Sequence, residues 1–266
     1  MRLATSTTTF ECEIADGLVH VILNRPDSGN PIDGAFCREF SLVMSELSER
    51  DDVRAVLMSA RGKLFSVGGD LVALGGQGKT LPVMIKTWTA DLHAAIVRMK
   101  RMRAPVVVAV HGNVAGGSVS LMAAADLVVI GKSARITSAF TRIGFSPDSG
   151  STTTLTARMG PARAKRFFLL AETLDADAAL LAGLVDVVAD DGAVLAEAER
   201  IARELASGPT EAYGGIKRLF LQTPHRSLES QMEDEAQTLA AISRTADARE
   251  GIKAFQEKRK PQFEGR

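Results

Sequence analysis

The stretch from Val106 to Gly150 constrains the fold more than any other part of the sequence. An apolar run over 106–110 ends at a glycine-rich turn over 112–117, which is followed by small residues over 118–125 and by a second apolar run from 127. This pattern predicts a strand, a turn, a helix and another strand. Backbone N–H groups exposed at the start of such a helix favour negative charge, although Gly-Gly turns also serve simply for close packing.

The composition is typical of a globular protein. The 266 residues suffice for one large domain or two smaller ones, with 45% hydrophobic and 24% charged residues. Because 32 basic residues balance 32 acidic ones, the overall charge does not favour nucleic acid as a partner. Cys12 and Cys37 form neither a disulfide framework nor a metal-ligand spacing, and no apolar stretch has the length of a membrane span. We expect a cytoplasmic protein with no metal, membrane or nucleic-acid partner.

A second glycine turn occurs earlier in the chain. An apolar run over 53–59 is followed by RGKLFSVGGDLVAL, in which Gly68 and Gly69 precede Asp70 and a further apolar segment. Two successions of strand, Gly-Gly turn and helix favour stacked structural repeats over two unrelated domains. The nearby GGQGKT is not a phosphate-binding loop, because Ala73 stands where that pattern requires its first glycine.

Apolar periodicity and turn residues predict the remaining elements. The first ten residues, MRLATSTTTF, predict a polar end. Strands are expected over 17–23 and 184–188, and helices over 31–50, 91–102, from Pro161, from Asp175 to Gly183, and over 192–206, 210–222, 227–243 and 247–258. We therefore predict a mixed α/β part over 1–190 and a helical part over 191–266.

Five segments occur in an order that is characteristic of one family. They are LNRPDSGNPID, VRAVLMSARGKLFSVGGDL, APVVVAVHGNVAGGSVSLMAAADLVVI, GLVDVV and AFQEKRKPQF. Together they resemble the enoyl-CoA hydratase/isomerase, or crotonase, superfamily. The resemblance implies an α/β fold built as a spiral of ββα repeats, with a C-terminal helical region that supports homotrimers or hexamers. It also implies an acyl-CoA thioester substrate, with coenzyme A carried as part of the substrate and no other cofactor.

Members of this family hold a thioester enolate with two backbone N–H groups, and the resemblance places them on Gly69 and Gly117. Enolate formation puts negative charge on the carbonyl oxygen. Fixed amide donors in a dry site stabilise such charge by about 2.7–4 kcal/mol each. Glycine turns agree with this role because no side-chain donor is needed.

The resemblance also implies a coenzyme A site. Arg25 would lie near the phosphates, and Lys258 and Lys260 could reach the coenzyme A of a neighbouring subunit, although single surface cations are more often simply solvated. The acyl chain would lie against the 74–99 segment, with Trp88 either beside it or in the core. The residues expected near the adenine are Ser66, Val67, Gly68, Asp70 and Leu71.

The catalytic side chains depart from those of the family's hydratases. Hydratases deliver water with two glutamates, and the matching positions hold Ser120 and Phe140. Phenylalanine cannot hold water or move a proton, and a serine without a base is a poor substitute. Asp148 in SAFTRIGFSPDSG supplies a carboxylate instead, and this segment resembles the branch of epoxyphenylacetyl-CoA isomerases and related double-bond isomerases.

We therefore predict an enoyl-CoA isomerase in which Asp148 moves a proton between two carbons of the acyl chain. Ser-Pro-Asp-Ser-Gly is also strong turn chemistry, so the aspartate could instead serve its own turn. A dehalogenase with Asp148 as nucleophile and His93 as base is another alternative. So are a hydratase with an atypical water site and a non-catalytic member that binds acyl-CoA or RNA, although the neutral net charge disfavours RNA.

Overall fold

A computed structural model describes Leu3 and residues 5–266. The strands, in chain order, are β1 (Phe10–Ala15), β2 (Leu18–Leu23), β3 (Ala55–Ala60), β4 (Val106–Val110), β5 (Val114–Ala115), β6 (Leu127–Gly131), β7 (Arg135–Thr137), β8 (Thr173–Asp175) and β9 (Val187–Ala189). One sheet has the order β1-β2-β3-β4-β6-β9, and a smaller one has the order β5-β7-β8. The larger sheet is parallel except for the antiparallel β1–β2 hairpin.

The central strands of the larger sheet are continuous apolar runs because both of their faces are covered. Every residue of β4 is buried, as are Ala55 to Ser59 of β3. One face packs against the main core, which includes Val56, Met58 and Val108, and the other face packs against a helix. Parallel strands covered on both sides require apolar residues at successive positions. The apolar runs predicted as strands therefore form the middle of the molecule.

The helices surround these sheets. They are α1 (Gly34–Ser48), α2 (Leu71–Leu74), α3 (Leu81–Arg101), α4 (Gly117–Ala123), α5 (Ser151–Met159), α6 (Pro161–Leu169), α7 (Ala176–Leu181), α8 (Val194–Ala206), α9 (Thr210–Gln222), α10 (Leu228–Ile242) and α11 (Ala246–Gln256). Asp33 caps α1 by accepting a hydrogen bond from Phe36 N. The helix was expected to begin at Pro31 and instead begins three residues later, at Gly34. Asp175 caps α7 through Ala178 N, as its position predicted.

Several elements differ from the sequence-based expectations. Four were not predicted, namely β5, β7, β8 and α5, and the strand expected over 184–188 is β9. β1 begins at Phe10, the last residue of the segment predicted as a polar end; residues 1, 2 and 4 of that segment lie outside the described part of the chain. The helix expected over 91–102 begins ten residues earlier, at Leu81. Of the side chains in its first half, only Trp88 packs against the main core, so the core periodicity that predicted the second half does not extend to the first.

The predicted helical part begins with α8, which belongs to the packing of the larger sheet. Val194, Ala198 and Ala202 of α8 are buried against the face of the sheet opposite the main core. The later helices are tied to the core through Lys217 on α9, whose Nζ lies 2.7 Å from Asp126 Oδ2. The division at residue 190 remains a prediction. Within the described part of the chain, no helix combines the length and apolar character needed to cross a membrane.

Candidate active site

A cavity of about 440 Å³ lies between α3, the start of α4 and the segment that precedes α5. It brings together Gly69, Gly117 and Asp148, the three residues predicted to act in catalysis. The 74–99 segment, expected beside the acyl chain, contributes Leu74, Ile85, Trp88, Thr89 and Leu92 to its wall. The other side chains of the lining are mostly apolar, including Ile32, Val67, Leu71, Phe140, Ile143 and Phe145. The cavity therefore suits an apolar ligand that carries a polar group at one point.

Gly68 allows the two glycine loops to touch. It has a φ of +89°, in the region that favours glycine. A Cβ at this position would lie 2.5 Å from Ala115 O and 3.2 Å from Gly117 N. Because backbone atoms cannot move aside as a flexible side chain can, this close approach requires glycine.

Hydrogen bonds fix the same contact. Ala115 N donates to Ser66 O at 3.1 Å, and the hydroxyls of Ser66 and Ser118 are hydrogen-bonded to each other in the buried interior. Ser66 also donates to Asn30 O at 2.6 Å. Backbone and side-chain hydrogen bonds therefore join the two glycine loops directly.

The amides of Gly69 and Gly117 donate to no acceptor among the described residues. At Gly69 this follows from a parallel bridge, in which Ile32 N donates to Gly68 O and Asp70 N donates to Ile32 O; the amide between them points the other way. Gly117 is the first residue of α4, so its amide has no intrahelical acceptor. Since both residues line the cavity, two unused donors are available there for an oxyanion.

Asp148 lies beside the second donor. A Cβ built on Gly117 would lie 3.8 Å from Asp148 Oδ1, and this buried oxygen has no hydrogen-bond partner among the described residues. Burial raises the pKa of Asp148 and outweighs the smaller effects that lower it. A desolvated carboxylate is a stronger proton acceptor than one in water.

The turn around Asp148 is closed by its main chain. Asp148 O accepts hydrogen bonds from Ser151 N at 3.0 Å and from Ser151 Oγ at 2.8 Å. Ser149 has a φ of +55°, a conformation that costs a non-glycine residue about 1–3 kcal/mol. Ser149 N donates to His93 Nε2 at 3.1 Å, a contact that the sequence did not indicate. His93 therefore holds the loop that carries the carboxylate, and its Nε2 is engaged in that contact.

The positions of the hydratase glutamates hold no acid. Ser120 is fully buried, its Oγ has no partner within the described chain, and it does not line the cavity. Phe140 does line the cavity, with its ring centroid 6.2 Å from that of Phe168. Among the described residues of the lining, Asp148 is the only carboxylate.

Cys37 also lines the cavity, although no sequence pattern predicted it there. Burial raises the pKa of Cys37 to about 12, with a smaller contribution from the charge of Asp33. The thiol therefore stays protonated and acts as a small apolar group.

Of the residues expected around coenzyme A, some are exposed at the cavity and others are buried or already bonded within the protein. Val67 and Leu71 are exposed at the cavity, whereas the hydroxyl of Ser66 is buried. Asp70 caps α2 by accepting from Ala73 N. Arg25 forms an ion pair with Asp33 at 2.6 Å, so its guanidinium also holds the start of α1. The roles of these residues toward coenzyme A remain predictions.

Comparisons with known proteins agree with this architecture. The family described as enoyl-CoA hydratase/isomerase matches residues 13–266. A "probable enoyl-CoA hydratase" of Rhodobacter capsulatus is 34% identical over 258 residues, 97% of this chain and 98% of the relative. The 1,2-epoxyphenylacetyl-CoA isomerase of Escherichia coli is 31% identical over 257 residues, 95% of this chain and 97% of that protein. The crystal structure of an enoyl-CoA hydratase from Mycobacterium smegmatis has a TM-score of 0.89 at 27% identity, over 96% of this chain and 99% of that one.

The fold is therefore that of the crotonase superfamily, a spiral α/β core followed by helices, as the five sequence segments implied. The chain belongs to the enoyl-CoA hydratase/isomerase family and is an enzyme of that superfamily.

Proposed function

We propose that this enzyme moves the double bond of an enoyl-CoA, with Asp148 as the single acid and base. One observation carries the proposal: Asp148 is the only carboxylate among the described residues of a cavity that also presents the free amides of Gly69 and Gly117. The similarity to the epoxyphenylacetyl-CoA isomerase supports the same reading, because that protein is named for an isomerisation.

The reaction needs one proton to leave and one to return. The Asp148 carboxylate removes a proton from C2 of a 3-enoyl thioester, and the electron pair spreads over C2, C4 and the carbonyl oxygen. The amides of Gly69 and Gly117 donate to that oxygen and stabilise it by about 2.7–4 kcal/mol each. The Asp148 carboxylic acid then returns the proton to C4, which gives the conjugated 2-enoyl thioester and restores the carboxylate.

Hydration by two cooperating acids is disfavoured by the same cavity. Water addition requires a group that positions and activates water in addition to the group that protonates the carbon. Phe140 and Ser120 supply neither at the positions expected for them. We therefore expect hydration of a 2-enoyl-CoA to be slow compared with isomerisation.

The proposal includes coenzyme A as part of the substrate and self-association as a trimer or hexamer. Apolar side chains on α9, α10 and α11 support self-association because they are largely exposed in the single chain; they include Phe220, Leu228, Leu239 and Phe255. Light scattering on the purified protein measures the oligomeric state directly.

An assay of wild type and two variants tests the proposed reaction. A 3-enoyl-CoA is supplied, and the conjugated product is followed by its ultraviolet absorbance. We expect Asp148→Asn to lower kcat by about 10²–10⁴, because it removes the proton acceptor. Ser120→Ala is the control and should retain wild-type isomerisation. Rapid hydration of a 2-enoyl-CoA that survives Asp148→Asn would contradict the proposal, as would acyl-CoA binding without turnover of any substrate.

A further inference from the structure

We propose that Gly34 and Trp88 together set the longest acyl chain that the cavity accepts. This inference rests on the proposed function in one respect, namely that the cavity holds the acyl group of the substrate. Trp88 lies on the face of α3 that lines the cavity, together with Ile85, Thr89 and Leu92. The position of its indole ring therefore determines how much of the cavity is left for the acyl chain.

Gly34 fixes where that indole lies. A Cβ built on Gly34 would be 2.5 Å from Trp88 Nε1 and 3.1 Å from Cδ1 and Cε2. These three atoms form one edge of the five-membered ring. That edge therefore occupies the space that a side chain at position 34 would need.

The backbone of Gly34 gives no other reason for glycine. Its φ is not in the left-handed region, and it is the first residue of α1. Alanine is about 1 kcal/mol more favourable than glycine within a helix. Glycine at this position therefore serves the neighbouring ring and not the conformation of the chain.

The start of α1 cannot move away from the ring. Asp33 accepts from Phe36 N at 2.9 Å and forms an ion pair with Arg25 at 2.6 Å. Phe36 and Phe40 stack with ring centroids 5.2 Å apart in the core. A Cβ at position 34 would therefore displace the tryptophan and not the helix, by about 1 Å if an ordinary carbon contact is to be restored.

The part of the ligand that lies against this wall of the cavity is an unsubstituted hydrocarbon chain. The side chains around it, Ile85, Leu92 and Cys37, are apolar or carry a protonated thiol, and the Thr89 hydroxyl is already bound to Ile85 O at 2.8 Å. Each buried methylene strengthens binding about fourfold. Affinity should therefore rise with chain length until the chain reaches Trp88, and then stop rising.

The fluorescence of Trp88 measures this directly, because the chain contains a single tryptophan. Saturated acyl-CoA thioesters of increasing length are titrated into the full-length protein, so that binding is observed without turnover. In wild type we expect about a fourfold gain per methylene up to a limiting length, with a change in emission near that length. In Gly34→Ala the limit should come one or two methylenes earlier.

Two further variants separate a length limit from general damage. Gly192→Ala is the matched control, since a Cβ there meets nothing within 4 Å and its φ is not left-handed; its length profile should match wild type. The double variant Gly34→Ala, Trp88→Phe should recover the lost length, as measured by calorimetry because the tryptophan is absent.

Three results would overturn the inference. They are an unchanged length profile in Gly34→Ala, an equal loss of affinity for every length down to acetyl-CoA, and no recovery in the double variant. The outcome is independent of the proposed reaction, because binding of saturated thioesters does not require proton transfer by Asp148. A shifted profile with undiminished isomerisation in Asp148→Asn would support the length limit and reject the proposed chemistry.

Discussion

Replacing Gly68 with alanine should damage both folding and catalysis, whereas the same change at Gly69 should leave the protein folded with its donor intact. The two glycines are adjacent, and their surroundings differ. A Cβ at Gly68 meets Ala115 O at 2.5 Å with φ at +89°, while a Cβ at Gly69 meets nothing within 4 Å and φ is not left-handed. Alanine retains the N–H group, so the amide of residue 69 remains a donor.

The expected size of the effect follows from these distances. Holding alanine in a left-handed conformation costs about 1–2 kcal/mol. Forcing the methyl group against Ala115 O adds about 1–3 kcal/mol of overpacking. Gly68→Ala should therefore lower the free energy of unfolding by about 2–5 kcal/mol, whereas Gly69→Ala should stay within about 0.5 kcal/mol of wild type. Moving Ala115 also displaces the amide of Gly117, and a misplaced donor costs about 10²–10³ in kcat.

Urea unfolding and the isomerisation assay measure the two effects separately. Urea unfolding should show a lower midpoint for Gly68→Ala only. The isomerisation assay should show a loss in kcat for the Gly68→Ala protein that remains folded. The reasoning fails if Gly68→Ala is as stable and as active as wild type, or if Gly69→Ala is destabilised to the same extent.

Four further predictions concern ionisable and hydrogen-bonded groups. Because burial raises the pKa of Asp148 above 3.8, kcat/KM should fall as pH drops through that raised pKa. Above that raised pKa, the ionised Asp148 destabilises the folded state, so Asp148→Asn should raise Tm at neutral pH. This gain in Tm should vanish below pH 3.8, where the carboxyl group is protonated in both the folded and the unfolded state. An equal gain at every pH would contradict the prediction. His93→Leu leaves the Ser149 amide unpaired and should cost about 1–3 kcal/mol in thermal unfolding, whereas His93→Gln retains an acceptor and should cost less; equal losses would refute this. Lys217→Met leaves the carboxylate of Asp126 without its cation and should lower the free energy of unfolding by about 3 kcal/mol. Adding Asp126→Asn should recover part of this loss, and an unchanged urea midpoint for Lys217→Met would contradict the prediction.

The regular elements could be predicted wherever one local signal was sufficient. β3 and β4 are apolar on both faces, and Asp175 marks the start of α7 with its own side chain. β1 was missed although Phe10, Cys12 and Ile14 alternate with two glutamates, a pattern that indicates a half-buried strand. The first half of α3 was missed because its apolar residues follow no core periodicity: Ile85 and Trp88 line the cavity, whereas Val83 is exposed.

The candidate site could be predicted only in part. The resemblance placed the two donors on Gly69 and Gly117, and the absence of glutamates directed attention to Asp148. Sequence could not show that one cavity contains all three, because their proximity depends on contacts between distant segments. The Gly68–Ala115 contact and the His93–Ser149 hydrogen bond are of this kind, and neither residue pair has a local pattern.

In the proposed reaction, the hydrogen-bonded pair of glycine loops has one task and the carboxyl group of Asp148 has another. The main-chain amides of Gly69 and Gly117, which side-chain substitution does not remove, would bind the charged oxygen, and the replaceable carboxyl group of Asp148 would move the proton. A new reaction can therefore be sought by relocating that carboxyl group alone, for example with Phe140→Glu in an Asp148→Asn background. In this double variant, the position of the carboxyl group would decide which carbon of the enolate receives the proton. The two glycine loops that bind the enolate oxygen would be unchanged.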